Sequence, residues 1–238
     1  MKLDILAFGA HPDDVELSCG GTLISHVKQG YKVGVVDLTQ GEMATRGTVA
    51  SRNTEAREAA QIMGLSAREN LGLRDGWFDV SEENQLAVIR MIRKYQPEIV
   101  FANATYDRHP DHGRGARLVE EAFFKAGLQM IETEVDGVKQ SAWRPKKLYN
   151  YIQSVSLSPD IYFDISNSLD QKMEAVKAYK TQFYTEGDEG PQTYISSKNF
   201  MDMLVARCKE YGQRINVDYA EGFCLSQPTG VKDIFHLL

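Results

Sequence analysis

The chain has 238 residues, 42% apolar and 25% charged. That is a globular composition, which excludes collagen-like, coiled-coil and disordered classes, and at about 150 residues per domain it reads as one large domain over 1–238. Lys plus Arg number 27 against 33 Asp plus Glu, a formal balance of −6, the wrong sign for neutralising phosphates, so nucleic acid is disfavoured as a partner.

Taken in order, Leu3 to Phe8 is a short apolar run ending at Gly9, and Val15 to Lys28 carries helical spacing through Val15, Cys19, Leu23 and Val27. Lys32 to Leu38 reads as a strand, Arg52 to Met63 as a helix stopped by Gly64, and Glu69 to Leu73 as a weaker strand. Ser81 is a candidate N-cap for a helix over Glu82 to Tyr95, Glu98 to Ala102 is a branched strand, and a helix follows from about Arg114 to Ala126. Residues 128–145 hold Asp136-Gly137 and little periodicity, which predicts a loop or small hairpin. Strands are expected at Leu148 to Gln153 and Ile161 to Ile165, then a helix from Ser168 with Ser168 and Gln171 as a capping box and Met173, Val176, Ala178 and Tyr179 on its buried side. Thr181 to Thr193 reads as a mobile loop, Ser197 to Tyr211 as a helix and Tyr219 to Cys224 as the last strand.

Strands alternating with helices indicate βαβ crossovers. The fold class is therefore α/β, Rossmann-like, with a mostly parallel sheet covered on both faces and a C-terminal α/β extension. No stretch approaches the roughly 18 consecutive apolar residues of a spanning helix, and Met1 to Phe8, interrupted by Asp4, is too short for a signal peptide. The three scattered cysteines, Cys19, Cys208 and Cys224, form no Cys-x-x-Cys pair. A cytoplasmic protein with buried free thiols and no membrane partner is expected.

Two segments carry chemistry. Ala10-His11-Pro12-Asp13-Asp14 directly follows the first strand, and Asp107-Arg108-His109-Pro110-Asp111-His112 follows the fourth. In a 3-2-1-4 strand order these strands are neighbours at the switch point, so the two loops should meet at the carboxyl end of the sheet. They would bring His11, His109, His112, Asp13, Asp14, Asp107 and Asp111 to one crevice. Two imidazoles and a carboxylate, with a position left for water, is the ligand set of a catalytic zinc; structural zinc prefers four protein ligands and many cysteines. Of Asp13 and Asp14, one would ligate and the other face the water as general base, which is hydrolytic chemistry. Either segment alone could be an ordinary turn or helix N-terminus. Their coincidence on adjacent strands, in a chain with five histidines, favours the metal.

These motifs resemble those of the PIG-L/LmbE-type zinc N-deacetylases. The similarity extends through Leu38-Thr39-Gln40-Gly41-Glu42, Thr45-Arg46-Gly47-Thr48, Arg52-Asn53-Thr54-Glu55-Ala56 and Tyr219-Ala220-Glu221-Gly222-Phe223. Within that family the chain most resembles the bacillithiol-biosynthesis branch, the N-acetyl-α-D-glucosaminyl L-malate deacetylases, which Tyr179-Lys180-Thr181-Gln182-Phe183 also suggests. The resemblance implies zinc on His11, Asp14 and His112, Asp13 as general base, and His109, held by Asp111, polarising the acetyl carbonyl as a protonated imidazole. It implies acetate and a free amine as products, and a homo-oligomer, in similar members a hexamer. A malate-bearing substrate requires cationic recognition, for which Arg52, Arg108 and Arg46 are candidates; Glu42 is a further expected substrate contact. The competing readings are the same chemistry on an inositol conjugate or chitin disaccharide, and a receiver-like, non-enzymatic magnesium module. The last leaves the His-Pro-Asp-His loop without a purpose.

Overall fold

A computed structural model describes residues 1–187 and 190–237. Its sheet is built around two fully buried, mostly apolar strands, β1 (Ile5–Gly9) and β2 (Val33–Thr39). Continuous burial of that kind belongs to parallel strands covered on both faces. Around them lie β3 (Ala67–Leu73), β4 (Ile99–Ala102), β7 (Lys147–Tyr151), β8 (Ile161–Asp164) and β9 (Ala220–Leu225) in the order β3-β2-β1-β4-β7-β9-β8. β1, β2, β3, β4 and β7 pair in parallel, and β9 is antiparallel to both of its neighbours, β7 and β8. A two-stranded hairpin, β5 (Glu134–Val135) and β6 (Val138–Lys139), fills the expected hairpin region. Asp136 and Gly137 take φ of 52° and 75° there, the left-handed pair that a two-residue hairpin turn demands.

The strand period of two divides the core. Ile5, Ala7, Val33, Val35 and Phe101 face one side with residues of α1 (Asp14–Lys28), α2 (Val49–Met63), α5 (Leu169–Lys177) and α6 (Lys198–Arg214). Leu6, Phe8, Val36, Leu38 and Val100 face the other with α3 (Glu82–Tyr95) and α4 (Pro110–Lys125). The α/β architecture with helices on both faces is thus as expected. No helix among the described residues is long and apolar enough to cross a membrane.

Several local expectations change. Ser168 does not cap α5: its hydroxyl pairs with Ser25 Oγ at 2.9 Å, and Gln171 donates to the Ile62 carbonyl. Met173 is half-buried, while Lys172 beside it is fully buried. Cys19 and Cys208 are buried as expected, but Cys224 is half-exposed. Of the expected loop 181–193, Asp188 and Glu189 lie outside the described residues. Its first residues are anchored: Thr181 donates to Glu55 through N and Oγ1, both at 2.8 Å, and Phe183 is buried.

The burial of Lys172 has an electrostatic cause. Its ammonium meets Glu221 Oε1 at 2.6 Å, and Glu221 also accepts from Gly21 N, Thr22 N and Thr22 Oγ1 at 3.0, 2.7 and 2.6 Å. Burial pulls the Lys172 pKa down, yet Cys208 and Glu221 outweigh it and the net shift is upward. α1 comes so close to the chain after β8 that a side chain at Gly21 would strike Ile165 at 2.9 Å. The late strand β9 thereby pins the middle of the first helix. Lys172→Met should leave Glu221 buried without its cation and lower stability by about 3–5 kcal/mol; an unfolding midpoint in denaturant unchanged from the parent would contradict this.

Candidate metal centre

β1 and β4 are hydrogen-bonded neighbours, with Ile5 opposite Ile99 and Ala7 opposite Phe101. Both chemistry-bearing loops therefore leave the sheet side by side, each running into a helix. Pro110 opens α4, where its missing N–H costs nothing. At the start of α1, Asp13 takes φ 119° and makes no side-chain cap. A non-glycine residue held there costs about 1–3 kcal/mol, and its carboxylate is engaged instead with Arg52 Nη2 at 3.0 Å.

Each of two imidazoles is gripped on one nitrogen by an outer carboxylate while its other nitrogen faces Asp14. His112 Nδ1 lies 2.6 Å from Asp107 and its Nε2 lies 3.2 Å from Asp14 Oδ1. His11 Nε2 lies 3.0 Å from Asp75 and 3.4 Å from Asp111, and its Nδ1 lies 3.7 Å from Asp14 Oδ2. A carboxylate behind a histidine fixes its tautomer and raises its basicity, the usual support of a metal-binding imidazole. Ligand atoms of His11, His109 and His112 all fall within 4.8 Å of one another. His11, Asp75 and Asp111 form a second such group, and imidazoles and carboxylates gathered in this way suit a divalent ion by donor chemistry.

The electrostatics separate the acids. Asp14 is held well below the usual carboxylate range: burial opposes ionisation, but His112 and His11 outweigh it. Asp13 is pushed up to about 7, first by burial and then by Asp14, with Arg52 acting in the opposite direction. His112 rises to about 9, because Asp14 and Asp107 overcome the effect of burial. His109 moves down, through burial and then through His11 and His112. That direction disfavours the expected protonated imidazole. Its Nδ1 accepts the Asp111 backbone N–H at 3.3 Å, so a neutral ring carries its proton on Nε2. The Asp111 carboxylate does not hold His109; it accepts from Gly76 N at 2.8 Å and Arg114 at 2.7 Å and backs His11.

The cluster floors a crevice of about 470 Å³. Of the expected substrate contacts, Arg52 is 4% exposed and occupied by Asp13 and the Pro12 carbonyl. Arg46 is buried and donates to the carbonyls of Thr181 and Pro191 at 2.7 and 2.9 Å. Glu42 is absent from the crevice lining and caps the Asp75 backbone N–H at 2.7 Å. Arg108 alone of the four is exposed at the crevice, its guanidinium 4.2 Å from the Tyr194 ring centre. Sequence reading missed Asp75, Asn103, Gln153 and Arg207. Asp75, Asn103 and Gln153 follow β3, β4 and β7 at the same end of the sheet, a positional signal that was readable. Arg207, which lines the crevice from α6 and donates to the Gln153 carbonyl, had none.

Asp107→Asn removes the anion behind His112. Divalent-ion affinity should fall roughly 10–100-fold, measured by competition with a chromophoric chelator; an unchanged dissociation constant would show that Asp107 does not orient His112.

The chain is similar to several known proteins. The family described as "PIG-L: GlcNAc-PI de-N-acetylase" matches residues 6–123, a span containing both His-bearing loops. The crystal structure of the conserved protein TT1542 from Thermus thermophilus is similar with a TM-score of 0.86 and 35% identity, covering 98% of each chain. A diacetylchitobiose deacetylase of Thermococcus kodakarensis is 28% identical over 92% of this chain and 81% of its own. A probable N-acetyl-alpha-D-glucosaminyl L-malate deacetylase 2 of Bacillus anthracis is 24% identical over 80% and 86%. With its two histidine loops inside the matched span and the fold shared end to end with a 35% identical structure, the chain belongs to the PIG-L family.

Proposed function

We propose that this chain, acting as one domain, is a zinc-dependent hydrolase that removes the N-acetyl group of a glucosamine conjugate. The carrying observation is the pair of imidazoles, His11 and His112, each backed by carboxylate and turned toward Asp14. When bound there, zinc supplies Lewis-acid activation of water and of the acetyl carbonyl.

The chain's own residues do the rest. Asp13, whose pKa is pushed up to about 7, is suited to accept a proton from water near neutrality and to return it to the departing amine. His109 offers its Nε2–H to the carbonyl oxygen as negative charge develops there. Arg52 holds the Asp13 carboxylate in place at 3.0 Å. Water and amide thus become acetate and amine, with the proton carried by Asp13. Asp13→Asn should lower kcat by about 10²–10⁴ with one equivalent of zinc retained. Full activity in that variant would remove Asp13 from the mechanism, and wild-type activity surviving exhaustive chelation would remove the metal.

For the substrate, the preferred reading is N-acetyl-α-D-glucosaminyl L-malate. It is supported by the Bacillus relative and by Arg108, an exposed guanidinium at the crevice with no ion pair among the described residues. A chitin disaccharide is the second reading. Exposed Trp77, Tyr106 and Tyr194 lie in or beside the segments that line the crevice and offer flat faces to sugar rings, and the Thermococcus relative covers more of the chain. Acetate release from the two substrates decides between them. Arg108→Ala should raise KM about tenfold for the malate conjugate, the value of a charge-assisted hydrogen bond, and leave diacetylchitobiose unaffected. An equal effect on both would rule out carboxylate recognition at Arg108.

A further inference from the structure

We propose that Gln153, backed by Asn103, is a positioning residue for Asp14: a neutral amide clamp that sets how tightly the His11, Asp14 and His112 cluster holds a divalent ion. The inference rests on the metal reading above and adds two residues to it.

Asp14 sits in a cage of N–H donors. Its Oδ1 accepts from Gln153 Nε2 at 2.9 Å, and its Oδ2 accepts from Asn103 Nδ2 and the His11 backbone N–H, both at 3.0 Å. Gln153 Nε2 also lies 3.3 Å from His112 Nε2, so the amide spans the gap between two candidate ligand atoms. Both amides are nearly sealed from solvent, Asn103 at 0% and Gln153 at 6% exposure.

Their orientations are not free. Gln153 Oε1 accepts from Asn103 Nδ2 at 3.0 Å and from the Ala104 backbone N–H at 3.2 Å. Turning the Gln153 amide over would aim its oxygen at Asp14 and its amino group at the Ala104 donor. Turning Asn103 over would set its oxygen against both Asp14 and Gln153. Asn103 therefore keeps its amino group on the acid, and its Oδ1 is left buried with no hydrogen-bond partner among the described residues. A buried acceptor without a donor is costly. That cost is tolerated where the amino group is needed.

A neutral donor also suits the chemistry. Arginine or lysine in this place would neutralise Asp14 and repel a cation; amides fix the direction of its lone pairs and leave its charge in place. The clamp is built on the ends of β4 and β7. Asn150 Nδ2 donates to the Asn103 carbonyl at 2.8 Å, and Arg207 of α6 donates to the Gln153 carbonyl.

The test uses Co²⁺ as the probe, with affinity read by competition against a chelator and ligand geometry by visible absorption, on the full chain. Gln153→Met keeps length and packing but loses the amide contacts to Asp14, His112, Asn103 and Ala104. It should bind Co²⁺ about 10–100-fold more weakly with an altered spectrum, whereas a merely structural role would leave the spectrum of bound cobalt unmoved. Gln153→Glu keeps the shape and the acceptor for Ala104 but turns an anion toward Asp14, and should shift both affinity and spectrum. A folded Gln153→Met protein with wild-type affinity and spectrum overturns the clamp; if that variant does not fold, wild-type behaviour in Gln153→Glu overturns it. Wild-type protein that takes up no more Co²⁺ than Asp14→Asn overturns the metal reading itself, an outcome distinct from either.

Discussion

Everything at the site depends on the parallel pairing of β1 with β4. The chain winds outward from β1 to β2 and β3, then returns to lay β4 on the opposite flank of β1. At that reversal the carboxyl ends of the strands open into the crevice, which α6 borders through Met203, Leu204 and Arg207. The two loops that emerge into it carry imidazoles, and each loop enters a helix at once, which fixes its backbone. A one-residue slip between β1 and β4 would turn every side chain of one strand to the other face. The two core clusters, which divide alternate residues of β1 between the faces, make such a slip prohibitive.

A second constraint is charge. The crevice floor concentrates Asp13, Asp14, Asp75, Asp107 and Asp111 around two imidazoles, and these acids have separate duties. Asp75, Asp107 and Asp111 are tied to histidines, backbone N–H groups or Arg114, and all three are held below the ordinary aspartate range despite the opposing effect of burial. Asp13 has Arg52 and His11 against the pull of burial, Asp14 and Glu16, and it moves the other way. Two neighbours in sequence are thus shifted in opposite directions by their surroundings, as the proposed division between ligand and base requires.

Behind the first turn of α1 a buried polar network holds that turn in place. Arg68 from β3 donates to both oxygens of Asp37 at 2.9 Å and to Glu16, and the Tyr179 hydroxyl donates to Glu16 at 3.0 Å. Farther along the same helix, Glu221 of β9 binds Gly21 and Thr22. α1 is thereby fastened to β2, β3, the end of α5 and β9. The Tyr179 and Glu221 segments that carried the family resemblance act as struts for the helix on which Asp14 sits.

How much was legible in the sequence follows from the range of each interaction. Strand and helix periods, the Ser81 start of α3, the Asp136-Gly137 turn and the β1–β4 adjacency were readable, because each rests on local pattern or on a topological rule. The convergence of His11 with His112 followed from that adjacency. The partners of individual polar side chains did not. Arg52 has the residue type and motif of a substrate clamp, yet a distance of 3.0 Å to Asp13 makes it a support for the proposed base. Asn103 and Gln153 carry no charge and no motif, and only the meeting of the β4 and β7 ends places them on Asp14. The sequence by itself determined the α/β topology, the end of the sheet that bears the chemistry and the residue types gathered there, since hydrophobic period and crossover handedness act locally. Which nitrogen of each imidazole is held, which carboxylate is pushed up toward neutrality and which arginine stays exposed at the crevice were decided only by the tertiary structure, because those properties depend on burial and on partners distant along the chain.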